Sequence, residues 1–71
     1  METLLGGIDW ENDLEQMRRR NNLSKTELAK RSGVSLSTIL RIENHGRIPY
    51  KTTGLKILRV FGSQVADAYD K

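Results

Sequence analysis

The 71 residues contain no cysteine, so neither a disulfide nor a thiolate zinc site can brace the fold. There is one histidine, His45. A metal there would need carboxylates alone as its other ligands, and no metal site is expected. No run of about 18 apolar residues occurs, so no membrane-spanning helix is expected. The opening METLLGGIDW lacks a basic stretch followed by an apolar one and does not read as a secretory leader. These absences favour a cytoplasmic protein. No internal repeat and no low-complexity stretch is present. Ser24, Ser35 and Ser37 are explained by helix caps and surface polarity, and His45 has no nucleophile or cleft to serve. Neither enzyme activity nor a cofactor is expected.

What is present is charge, unevenly placed. Residues 1–16 carry Glu2, Asp9, Glu11, Asp13 and Glu15 with no lysine or arginine, a charge of −5. The remaining residues carry twelve basic and four acidic side chains, a charge of +8. Such a surplus attracts polyanions, although surface lysines also serve plain solubility. At this length the chain is one small domain. Its core rarely supplies more than about 3–5 kcal/mol alone, so good helix packing and self-association are the expected supports.

Five helices and no strands are expected. The first spans about 10 to 21, with Asp9 as N-cap and Trp10, Leu14 and Met17 on one face. Glu11, Asp13 and Glu15 near its start and Arg18 to Arg20 near its end suit the helix dipole. Asn21-Asn22 ends it. The second runs from about 25 to 32 and the third from about 36 to 44, with a loop from Asn44 to Pro49. The fourth covers about 52 to 61, with Leu55, Leu58 and Phe61 inward and Ile57 and Val60 beside them. Gly62 breaks it, and a last short helix starts at Ser63. Residues 1–8 form an N-terminal arm, and 9–71 form the domain proper. Gly6-Gly7 disfavours helix, which leaves two readings of the arm: a frayed end, or a segment whose Leu4, Leu5 or Ile8 packs on the first helix or on a second subunit.

The stretch SKTELAKRSGVSLSTILRIE, from Ser24 to Glu43, is the most informative. Ser24 followed by Glu27 is a capping box, in which the hydroxyl takes a first-turn amide and the carboxylate reaches back. Leu28 anchors the helix, and Ala29 is small enough to let another helix cross closely. Gly33 lies where a positive φ ends the helix, Val34 plugs the turn, and Ser35 caps the next helix. Ile39 and Ile42 set an apolar stripe beneath that helix, with Ser37 and Arg41 on the opposite side. A short helix pinned from below with polar side chains above fits a DNA major groove.

These residues resemble the helix-turn-helix of the Cro/phage-repressor (XRE) family, whose pattern is roughly L-S-Q-x-x-L-A-x-x-x-G-V-S-x-x-x-I-x-x-x-E-x-G. Here it stands as Leu23-Ser24-Lys25, Leu28-Ala29, Gly33-Val34-Ser35, Ile39 and Glu43. Arg18 and Glu43 match the family's arginine–glutamate pair, and Pro49 matches its proline before the fourth helix. The match covers about residues 13 to 69. Two departures stand out. Lys25 replaces the usual glutamine, and Gly46 comes one place late, after an inserted-looking His45.

The resemblance implies an all-α, compact, five-helix lambda-repressor-like domain that binds specific double-stranded DNA. A regulator of transcription, more often a repressor, is expected, of bacterial or phage type. Leu36, Ser37 and Arg41 are the candidate base contacts, with Arg41 suited to guanine and Leu36 to a thymine methyl. Arg41 also suits a phosphate, and Leu40, one turn beyond Leu36, suits packing. Ser24, Lys25, Thr38, Asn44, Arg47, Tyr50 and Lys51 are candidate phosphate contacts. Lys25 keeps a phosphate bond as a point charge but loses the amide that braces the third helix in the family. Arg18 and Glu43 are assigned a structural salt bridge. Val65, Ala68 and Tyr69, at i, i+3, i+4 spacing, are the first choice for a homodimer surface, the alternative being closure of the core. The 71 residues leave no room for a separate ligand sensor, so control by expression level or another protein is expected. A second reading is an antitoxin-like or accessory regulator acting mainly through a protein partner, suggested by Leu36, Leu40 and the acidic, apolar N-terminus.

Overall fold

A computed structural model describes residues 4–69 and comprises five helices: α1 (Trp10–Arg20), α2 (Lys25–Ser32), α3 (Leu36–His45), α4 (Lys51–Val60) and α5 (Ser63–Tyr69). The only extended pairing among the described residues is an isolated antiparallel bridge between Leu4 and Tyr50. No described helix is long and apolar enough to cross a membrane.

The helix starts follow from local hydrogen bonds. Asp9 accepts from the Asn12 amide at 3.5 Å and from the Asn12 side chain at 2.9 Å. Ser24 accepts from the Glu27 amide at 3.1 Å, and Ser35 from the Thr38 amide at 3.3 Å. The Glu27 carboxylate meets the Ser24 hydroxyl, at 3.4 Å, where the capping-box pattern has it reach the backbone. The ends are equally local. Gly33 sits at φ 75, a left-handed conformation that a Cβ penalises, and this turns α2 into α3. His45 does not lengthen the loop: it is the last residue of α3, and Gly46 caps the helix one position later.

The core is Leu5, Trp10, Leu14, Leu28, Ile39, Ile42, Leu55, Ile57, Leu58 and Ala66. Two positions differ from the helical pattern. Ile57 is fully buried, whereas Phe61 is only partly so. The reason is that α4 packs against both α2 and α5, which widens its buried face, and ends before Phe61. On α5 the residue turned inward is Ala66. Val65 is half-buried against the core and Ala68 is exposed, while the Tyr69 side chain lies outside the described residues.

The N-terminal arm is packed where it is described. Leu5 is buried, its amide donates to the Pro49 carbonyl at 2.9 Å, and its own carbonyl accepts the Trp10 indole N–H at 2.8 Å. That bond satisfies the polar end of a buried tryptophan. Gly54 makes the fit possible: a Cβ there would lie 2.6 Å from Leu5 Cδ2 and 3.1 Å from Trp10 Cζ2. Gly54→Ala should therefore lower the melting temperature, since overpacking costs about 1–3 kcal/mol and outweighs the roughly 1 kcal/mol that alanine adds in a helix. In a Leu5→Ala background the same change should be neutral or stabilising. Urea unfolding of the unchanged chain and the three variants measures that coupling, and additive effects would mean that Leu5 does not rest on Gly54.

Candidate nucleic-acid interface

The interface is built from the inside out. Arg18, on α1, is buried with Glu43 of α3. Its Nε donates to Glu43 Oε2 and its Nη2 to Oε1, both at 3.0 Å. Its Nη1 donates to the Leu23 carbonyl at 2.9 Å, just before α2. One guanidinium thus joins α1, α3 and the entry to α2. Among the described residues no buried side-chain polar atom lacks a hydrogen bond.

With Ile39, Ile42 and Glu43 facing inward, α3 can turn only its other side to solvent. Leu36, Ser37, Arg41 and Asn44 are exposed there, and Leu40 is half-buried at the edge. Thr38 is also half-buried, and its hydroxyl shares a 2.8 Å hydrogen bond with that of Ser35. Lys25, at the start of α2, reaches across to α3, where its Nζ donates to Asn44 Oδ1 at 3.5 Å. The lysine that replaces the family's glutamine therefore keeps a bond to the third helix, made by an ammonium at the helix's far end. Ser24 is occupied as a cap, with the Glu27 carboxylate beside it. A phosphate approaching the start of α2 would meet that negative charge, so Lys25 is the group there suited to hold it.

Beyond α3 the chain forms a second wall. Arg41, Arg47 and Tyr50 line a groove of about 400 Å³ together with Leu4, Thr38, Ile42, Ile48, Pro49 and Thr53. Arg47 and Tyr50 are exposed and Lys51 is half-buried. Lysines, arginines and hydroxyls thus run from Lys25 over α3 to the start of α4. Leu4 and Ile48 were not singled out for this site by sequence. Their only signal is being apolar where loop residues are usually polar, because Leu4 joins Arg41 in the groove through the docked arm and Ile48 through the fold of the loop before α4, not through any spacing. Arg18 and Glu43 lie beneath this surface, Ser24 is exposed at its edge beside Lys25, and Val65 and Ala68 are on α5, away from α3.

An all-helical domain with a capped two-helix turn and a third helix that turns Ser37 and Arg41 to solvent is a helix-turn-helix module. The sequence model of a family described as helix-turn-helix matches residues 14–67, and the chain belongs to that family, of XRE type. It is 36% identical over 58 residues to a protein of Methanocaldococcus jannaschii described as an uncharacterized HTH-type transcriptional regulator. The alignment covers 82% of this chain and 88% of that protein. No solved structure matches.

Arg18→Ala should strand Glu43 as a buried, unpaired carboxylate, at a cost of about 3–5 kcal/mol. That equals the whole stability expected of so small a core, so the variant should be largely unfolded by circular dichroism at room temperature. Arg18→Met combined with Glu43→Met should restore most of the helicity, because apolar side chains of similar volume avoid the desolvation cost. An unchanged melting temperature for Arg18→Ala would show that the pair does not hold α1 to α3.

Proposed function

We propose that this protein is a sequence-specific double-stranded DNA-binding regulator of transcription, acting as a repressor, with α3 lying in the major groove. The observation that carries this reading is the orientation of α3. Ile39, Ile42 and Glu43 are locked beneath it, leaving Ser37 and Arg41 outward one turn apart. The family and the regulator from Methanocaldococcus jannaschii support it. In this reading Leu36, Ser37 and Arg41 meet base edges. Ser24, Lys25, Thr38, Asn44, Arg47, Tyr50 and Lys51 meet phosphates, with the Glu27 carboxylate making Ser24 the weakest of these.

A single module covers about 600–1,000 Å² on DNA, so tight binding calls for two copies with their third helices about 34 Å apart. The α5 surface of Val65, Ala68 and Tyr69 is the proposed contact between copies. Ala68 is its exposed member, and Val65 also closes the core. A two-fold symmetric motif among duplexes selected from random DNA would support the whole scheme, and absence of any enriched motif would count against it.

Arg41→Ala should weaken binding to the selected site by about 1–3 kcal/mol and relax preference at one base pair. An equal loss on random DNA would instead make Arg41 a phosphate clamp. Lys25→Ala, Arg47→Ala and Lys51→Ala should each weaken binding to all sequences alike and reduce the salt slope by about 1. If the slope stays constant in all three, DNA does not approach along this surface.

A further inference from the structure

Three of the four large hydrophobic side chains exposed among the described residues, Leu4, Ile48 and Tyr50, line a single groove beside α3. They are 53%, 44% and 46% exposed. Among the described residues, the charged side chains in the groove wall are Arg41 and Arg47, and no acidic one lines it. DNA accounts for the arginines but not for the apolar residues, since a phosphate backbone gives Leu4 and Ile48 nothing to pack on. The groove is too small to seat a folded domain. At about 400 Å³ it falls in the range of roughly 300–1,000 Å³ that holds a small ligand or a few side chains.

We propose that this groove binds a short acidic segment of a partner protein, with apolar side chains on Leu4, Ile48 and Tyr50 and carboxylates on Arg41 and Arg47. Charge complementarity selects the occupant: apolar contacts alone would take any hydrophobic segment, and the two unopposed arginines restrict the choice to an acidic one. A second copy of this domain fits poorly. Its exposed acidic residues among those described, Asp9, Glu11, Asp13, Glu27 and Asp67, stand at the start of α1 and on α1, α2 and α5, whereas its exposed large apolar residues, Leu4, Leu36, Ile48 and Tyr50, lie on the arm, on α3 and in the loop before α4. Because Arg41 both lines the groove and faces outward from α3, the segment and DNA exclude one another. That exclusion rests on the DNA reading above, whereas the groove assignment stands without it. The partner would act as a release factor, freeing the operator by capping the arginine that reads it.

The test uses a fluorescein-labelled synthetic peptide of alternating leucine and glutamate, with a leucine–lysine peptide of equal length as control, followed by fluorescence anisotropy with the full chain. The leucine–glutamate peptide should bind at least about tenfold more tightly than the control. Leu4→Ser with Ile48→Ser should weaken it about tenfold while leaving duplex DNA binding within about twofold, because neither residue is placed on DNA. Arg41→Ala should weaken both ligands, and unlabelled operator DNA should displace the peptide. Amide chemical shifts of labelled protein should move at Leu4, Arg41, Ile48 and Tyr50. Equal binding of the two peptides, no effect of the double change, or shifts elsewhere would overturn the groove assignment. Simultaneous binding of peptide and DNA would overturn the exclusion. Self-association abolished by Ile48→Ser would assign the groove to a second copy and overturn the proposal. If no DNA binds at all, the peptide and shift measurements still decide the groove, so the two readings fail separately.

Discussion

The guanidinium of Arg18 is the constraint on which the rest of the domain depends. It is a planar fork with fixed donor directions, and the structure uses that rigidity. Two of its nitrogens face the two oxygens of Glu43, and a third takes the carbonyl of Leu23. A lysine has no such geometry and could not hold three segments in one orientation. The net stability gained is small, because burying two charges costs nearly what their attraction returns. What the pair contributes is a defined orientation of α3 on α1. In a 71-residue chain without cysteine, few other contacts can supply that.

Orientation matters because α3 has two incompatible faces. Ile39 and Ile42 are fully buried and Glu43 nearly so. A small rotation about the helix axis would bring Ser37 and Arg41 toward the core and expose the isoleucines. The turn at Gly33 and the cap at Ser35 set where α3 begins, and Arg18 sets its rotation. The added residue His45 is accommodated at the far end, as a little more helix before Gly46, so it leaves the rotation of α3 unchanged.

The N-terminal arm extends the same logic to the neighbouring loop. Leu5 and Trp10 both pack against the bare backbone of Gly54, and Leu5 ties its amide to Pro49. The loop leading into α4 is thereby held on two sides, by α3 and by the arm. This places Arg47 and Tyr50 in one wall with Arg41 and brings Leu4 to its edge. An arm that carries no lysine or arginine thus shapes a basic surface through Leu4 and Leu5.

The sequence by itself determined whatever depends on near neighbours. The caps at Asp9, Ser24 and Ser35 and the left-handed turn at Gly33 were legible because each hydrogen bond or dihedral involves residues within one helical turn. The inward stripe of Leu28, Ile39 and Ile42 was legible because helical periodicity fixes which residues share a face. The five helices and the helix-turn-helix family follow from those signals. Tertiary structure decided the rest. Packing α4 against both α2 and α5 buried Ile57 in preference to Phe61, and the packing of α5 turned Ala66 inward. Docking of Leu5 on Gly54, the reach of Lys25 to Asn44 and the meeting of Leu4, Ile48 and Tyr50 with Arg41 all join residues far apart in the chain. No spacing rule encodes such meetings, because each depends on how whole helices cross, and crossing is set only when the core closes.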